Sequence, residues 1–219
     1  MNTALLVGAS GLVGKQLLSL LLEDPAYEKV TVIGRKELPI QHKKLSQHVV
    51  DFEHLGQAAQ RIRAHDGFCC LGTTIRKAGS EAAFRKVDYT YPYEIAKIAK
   101  VNGARRFLIV TAVGADPASN VFYNRVKGEI EQTITKMPFD AVHVFRPSIL
   151  VGEREEFRPW ERIGILAMKA LSFAMVGGWK KYRPIPAEAV AKAMVRAARE
   201  GRSGIHIYES DQIHAMSQG

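Results

Sequence analysis

The sequence predicts an α/β fold in which one parallel sheet is doubly wound, with helices on both faces. Three observations carry that prediction. Short apolar runs alternate with helical apolar spacing between residues 4 and 208. The first run passes through Gly8, Gly11 and Gly14 directly into a helical pattern. Strand, helix and strand then follow within about thirty residues, the size of a parallel crossover unit. No stretch rich in Pro, Gly or Ser divides the 219 residues, so residues 1–219 read as a single domain.

The glycine turn organises the rest. In Gly8-Ala-Ser-Gly-Leu-Val-Gly14 the chain leaves a buried strand over 4–7. Gly8 permits a sharp turn, Gly11 lets the backbone approach a phosphate, and Gly14 lets the new helix lie close to the strand. Amides at the helix start, in the segment holding Ser10, Leu12 and Val13, then face a pyrophosphate. The spacing is Gly-x-x-Gly-x-x-Gly, a modified form of the usual dinucleotide fingerprint, and a plain tight turn is the competing reading.

A helix over 12–23 follows, with Leu17, Leu18, Leu21 and Leu22 toward the sheet, stopped by Asp24-Pro25. The second strand, 29–34, ends at Gly34-Arg35-Lys36, where a NAD site usually carries an acidic residue for the ribose hydroxyls. Arg35 instead offers a planar fork of donors to the 2′-phosphate of NADP. A third strand over 46–51 ends in Asp51, Phe52 opens a helix over 52–64, and a fourth strand runs over 67–71. The small residues Gly72, Thr73 and Thr74 after it let a cofactor lie close to the backbone, or serve only as turn residues.

One long helix is expected over 80–102, ended by Gly103, and Arg106–Val110 is the fifth strand. Past Thr111-Ala112, Ser119 or Asn120 is positioned to cap the next helix. On that helix Tyr123 and Lys127 stand four residues apart and project from one face. A phenol needs help to move a proton near neutrality, and a neighbouring ammonium supplies it while its other donors hold a ribose. The sixth strand, 139–145, carries His143 as a core residue. Helices over 160–175 and 186–199 and a last strand over 204–208 complete the chain. Apolar residues circle much of the 160–175 helix, which suits a substrate cover, a dimer contact or ordinary core; for the chain as a whole a homodimer or a protein partner is open.

Composition narrows the function classes. Hydrophobic residues at 47% and charged residues at 24% are those of an ordinary globular protein. Neither a signal peptide nor a membrane-spanning run is expected, and no metal site. Adjacent Cys69 and Cys70 in a strand seldom pair, so a reducing, cytoplasmic setting is expected. The net charge of +9 is spread along the chain rather than clustered with aromatics, which argues against specific nucleic-acid binding.

Taken together, Gly8-Ala-Ser-Gly-Leu-Val-Gly14, Cys69-Cys-Leu-Gly-Thr-Thr74, Val113-Gly-Ala-Asp116, Phe122-Tyr-Asn-Arg-Val-Lys-Gly-Glu129 and Phe145-Arg-Pro147 resemble an atypical, extended-type short-chain dehydrogenase/reductase. More narrowly they are similar to the Tat-interacting-protein-like oxidoreductases, over nearly the whole chain. The resemblance implies a Rossmann-type domain binding NADP(H) in preference to NAD(H), with residues 148–186 forming a small substrate-side cover. Gly8, Ser10, Gly11, Leu12, Val13 and Gly14 would meet the pyrophosphate, and Arg35 the 2′-phosphate. Asp51, Phe52, Gly72, Thr73, Thr74 and Arg146 would complete the cofactor site. The implied activity is hydride transfer to a carbonyl-like small molecule, with Tyr123 as proton donor and Lys127 as its partner and ribose ligand. Thr111 would orient the reacting oxygen. Ala112, where relatives often carry a second hydroxyl, leaves open a cofactor-sensing interaction module with little turnover.

Overall fold

In the computed structural model, which describes residues 2–61, 63–152 and 181–218, all seven predicted strands join one sheet. They are β1 (Asn2–Val7), β2 (Tyr27–Gly34), β3 (Leu45–Val49), β4 (Asp66–Cys69), β5 (Arg106–Val110), β6 (Ala141–Arg146) and, last in the chain, β9 (Gly204–Glu209). The order is β3-β2-β1-β4-β5-β6-β9 and every pairing is parallel. Between them β7 (Leu150–Val151) and β8 (Ile185–Pro186) pair as a separate short ribbon. The order reverses at β1 and β4, and a doubly wound sheet opens its ligand crevice outside the carboxyl ends of such strands.

Side chains alternating along the strands feed two cores. On one face Leu6, Phe68, Leu108 and Phe145 meet α1 (Leu12–Glu23), whose Leu17, Leu18, Leu21 and Leu22 are buried as their spacing requires. Each such leucine contributes roughly 1.5–3 kcal/mol by leaving water. On the other face Leu5, Val7, Phe107 and Ile109 meet Ile95, Ile98 and Ile130. Among the described residues, no helix is long and apolar enough to cross a membrane.

The middle of the chain departs from its expected form. The stretch expected as a helix over 52–64 is a 3₁₀ segment, Phe52–Arg61, kinked at His54. The Asp51 carboxylate accepts from the Glu53 amide at 2.9 Å and contacts the His54 ring at 2.9 Å, tightening the start into a turn. The predicted 80–102 helix begins with the Ser80 hydroxyl accepting from the Ala83 amide, but it is not uniform. After a one-turn helix α2 (Ile75–Ala78), α3 (Glu81–Arg85) passes through a π-helical turn, Lys86–Thr90, into α4 (Tyr91–Val101).

Next comes α5 (Phe122–Thr135), which has Val121 at its N-cap with no side-chain bond, so neither Ser119 nor Asn120 caps it. The Ser119 hydroxyl accepts instead from the Val121 amide, one residue too early. Helix α6 (Ala187–Glu200) packs on α1, and α7 (Ser210–Ser217), which the sequence pattern did not signal, packs on α6. The expected 160–175 helix lies outside the described residues. Of the expected 148–186 cover, 148–152 and 181–186 are described.

Candidate cofactor and active site

The glycine turn has no room for side chains. Gly8 has φ +80°, and a Cβ on it would stand 2.5 Å from the Cys70 carbonyl group. A Cβ on Gly14 would stand 2.0 Å from the Gly8 oxygen, so β1 and α1 meet at van der Waals limit. The Gly11 amide closes the turn on the Gly8 oxygen at 2.9 Å. Helix α1 has Gly11 at its N-cap, with no capping side chain and no acidic residue in its first turn. Its leading amides therefore stay open to an anion, and the positive end of the helix dipole is not offset. Ser10 and Gly11 are exposed, Leu12 is half-buried and Val13 is buried. This bare, side-chain-free cradle fits the pyrophosphate of a dinucleotide.

Arg35 is exposed just past the end of β2. Near it, Glu53 accepts from the Tyr91 hydroxyl at 2.5 Å and from the Lys86 ammonium at 2.9 Å. Burial and the Glu53 carboxylate push the Tyr91 phenol up to about 12, with the Arg35 charge pulling the other way. Phe52 is buried with its ring 5.3 Å from that of Tyr91. Asp51 is exposed, and its carboxylate is held below its ordinary range, first by the Glu53 amide.

Helix α5 carries a polar stripe of three residues, spaced by four, that continues past the expected pair. Tyr123 is half-buried against Phe84, ring centroids 5.3 Å apart. The Lys127 side chain is 5% exposed and its Nζ lies 2.7 Å from Asp88 Oδ1. Burial alone would drive Lys127 toward the neutral amine, but the Asp88 carboxylate, helped by Tyr123, outweighs it and raises the pKa. Asp88 Oδ2 also accepts the Thr73 amide at 3.0 Å, and a Cβ on exposed Gly72 would lie 3.7 Å from Lys127 Nζ. Tyr123, Lys127, Gly72 and Thr73 are thus brought to one place, beside the glycine cradle through Cys70.

Two expected site residues are engaged elsewhere. The Thr111 hydroxyl donates to Glu131, the third member of the α5 stripe, at 2.5 Å, and it is buried. Arg146 donates to the same Glu131 at 2.5 Å and to Glu209 at 3.1 Å. Both residues tie strand ends to α5, because a buried carboxylate must be neutralised by nearby donors. Thr74 caps α2 by accepting from the Lys77 amide at 3.1 Å, which is the turn reading of that residue. Asp88 and Glu131 escaped the sequence reading. The i, i+4 step from Lys127 pointed to Glu131, whereas Asp88 had no local signal.

No family model matches the chain. It is 39% identical over 198 residues to Protein HTATIP2 of Rattus norvegicus, covering 89% of this chain and 80% of that protein. It is 30% identical over 206 residues to Protein FMP52, mitochondrial, of Candida albicans, covering 91% and 89%. Among solved structures it is similar to the Bordetella bronchiseptica enzyme WbmH in complex with NAD+. That match has a TM-score of 0.72 and 16% identity, and covers 100% of this chain and 80% of that one. The human epimerase family protein SDR39U1 with NADPH matches at TM-score 0.63 and 15% identity, covering 94% and 74%.

The relatives define the family, and the solved structures show the fold, one shared with the NAD+-bound and NADPH-bound proteins just described. The chain belongs to the family that includes HTATIP2 and FMP52. The cytoplasmic expectation drawn from the cysteines is corrected, because the FMP52 relatives are named mitochondrial. Unpaired thiols report a reducing compartment, and such compartments are not confined to the cytosol.

Proposed function

We propose that this protein is an NADPH-dependent oxidoreductase acting on a carbonyl-like carbon of a small molecule. The observation that carries the reading is the placement of Tyr123 and Lys127 on one face of α5, beside the Gly72 wall of the glycine cradle. A bound dihydronicotinamide supplies the hydride. The chain's own part is to bind and orient: the open amides of the first α1 turn hold the pyrophosphate, and Arg35 meets the 2′-phosphate. Lys127 holds the ribose and Tyr123 delivers a proton to the developing oxyanion. Thr111 has no part in this proposal, since its hydroxyl is spent on Glu131. The mitochondrial designation of the FMP52 relatives supports that compartment for this chain.

One observation favours a second reading, an NADP(H)-sensing interaction module. With the Thr111 hydroxyl engaged and Ala112 lacking one, neither residue following β5 offers a free hydroxyl to orient a carbonyl. A missing oxyanion donor lowers turnover on the order of 100-fold or more.

A carbonyl panel followed by single-turnover NADPH oxidation separates the two. In the enzyme, Tyr123→Phe abolishes reduction and keeps NADPH binding, whereas Lys127→Met weakens both. Turnover of a verified substrate by Tyr123→Phe at the wild-type rate would sink the proton-donor assignment. In the module, Tyr123→Phe leaves the response of a partner to NADP(H) intact, while Lys127→Met and Arg35→Ala blunt it.

A further inference from the structure

We propose that Asp88 is the positioning residue of this site, clamping the charged end of Lys127 against the backbone of Gly72 and Thr73. Its consequence for cofactor binding rests on the reading above, but its geometry does not.

The two residues are far apart in sequence and come from different helices. Asp88 sits in the π-helical turn Lys86–Thr90, and Lys127 sits in α5. A π turn widens the helix locally and re-aims the side chains it carries. Here Asp88 points inward, with its side chain 0% exposed, while Lys86 on the same turn reaches out to Glu53. One carboxylate oxygen is 2.7 Å from Lys127 Nζ, and the other accepts the Thr73 amide at 3.0 Å. A single side chain therefore joins α5, the π turn and the loop after β4. Built Cβ positions on Gly72 fall 3.6 Å from Asp88 Oδ1 and 3.7 Å from Lys127 Nζ, so the loop backbone closes directly over the pair.

Position and charge are coupled in this arrangement. A lysine ammonium in a buried site loses its proton readily unless an anion stands beside it. The other titratable groups that act on Lys127 are Tyr123 on α5 and Cys69 on β4. Burial pushes the Cys69 thiol up to about 12, so it carries no charge at neutral pH and leaves Asp88 as the resident anion. Arg85 and Lys86, on the same helix, are ion-paired with Glu129 and Glu53. Removing the Asp88 charge leaves Lys127 buried with no counterion. The helix that carries it remains tied to the sheet through Glu131, Thr111 and Arg146.

The test reads the lysine directly, in the full chain without cofactor. Protein labelled with ¹³C-lysine is titrated by NMR, and the Lys127 Cε signal is assigned by its disappearance in Lys127→Arg. In the wild type the signal titrates above the ordinary lysine range, and in Asp88→Asn it titrates below that range. NADPH binding by Asp88→Asn at pH 9 falls at least about tenfold, the loss of one charged contact, with a smaller loss at pH 6. Asp88→Glu restores the high titration.

An unchanged Lys127 titration in folded Asp88→Asn overturns the proposal, even if thermal stability has dropped, because a merely structural carboxylate would lower stability without moving that signal. Should Asp88→Asn fail to fold, a wild-type signal titrating below the ordinary range is equally decisive against it. If the Lys127 titrations come out as expected but wild-type protein binds no NADPH, the cofactor reading fails while the Asp88 clamp stands.

Discussion

His143 shows how a single side chain can be placed correctly from sequence and still carry an unforeseen property. Its ring is fully buried, stacked 5.0 Å from His206, with Nδ1 3.1 Å from the Tyr208 hydroxyl. Burial first, then the His206, Arg106 and Arg202 charges, lower its pKa to about 4. The unfolded chain takes up a proton near the ordinary value of about 6.5 and the folded one does not. Stability from this group is therefore complete above about pH 6.5 and falls as pH drops toward 4, by up to about 3 kcal/mol. Urea unfolding of the wild type and His143→Phe at pH 7.5 and 4.5 checks this: the variant should lose less stability on acidification. The sequence placed His143 by strand alternation, as it placed Tyr123 and Lys127 by a four-residue step. Asp88 was not legible, because its partners are brought to it by tertiary packing from elsewhere in the chain, whereas Glu131 lies one further four-residue step along the same face of α5.

At the scale of elements, α5 accounts for the partners of Thr111 and Arg146. Both lie at the carboxyl ends of strands, where a ligand role is a sound expectation, yet α5 presents a buried carboxylate there and takes their donors. Glu131→Gln removes one of the two counter-charges of Arg146, leaving Glu209, and weakens the bond to Thr111; it should cost about 1–3 kcal/mol, measured by denaturant unfolding. Because the same helix carries Tyr123 and Lys127, turnover should fall with it while Arg35-dependent cofactor choice is unchanged. The first glycine turn was readable because its spacing is local: Gly8 has φ +80°, and Gly11 and Gly14 both face the Gly8 oxygen. A Cβ at Gly14 meets backbone at 2.0 Å, whereas one at Gly56 meets nothing within 4 Å. Gly14→Ala should therefore destabilise by roughly 1–3 kcal/mol and impair nucleotide binding, with Gly56→Ala close to wild type in both. The π turn and the 3₁₀ segment were invisible for the opposite reason. Apolar spacing reports a helical face and does not count the residues in each turn.

Across the whole molecule the sheet order was recoverable because the inner strands β1, β4, β5 and β6 are short apolar runs that feed both cores, and parallel crossovers leave few arrangements open. Arg106, Lys127, Arg146 and Arg199 each neutralise a buried or nearly buried acid, so these four cations serve packing and the +9 excess lies with other basic residues. Arg35 is exposed, and under the proposed function it would give the molecule a global readout of cofactor choice. A dinucleotide laid along the crevice would touch the ends of β1, β2 and β4 together with α5, surfaces that exist only in the folded chain. Binding must then raise unfolding stability by mass action, about 2.7 kcal/mol when NADPH is present at a hundred times its Kd. For a chain of this size each kcal/mol moves Tm by roughly 2–4 °C, so NADPH should raise it by roughly 5–10 °C. NADH at the same concentration should raise it less, because it lacks the phosphate that Arg35 would hold. In Arg35→Ala the NADPH shift should shrink to that of NADH, while the Tm without nucleotide stays put, Arg35 being exposed. Equal shifts for the two nucleotides in the wild type would remove Arg35 as the determinant, and no shift with either would remove the cofactor site itself.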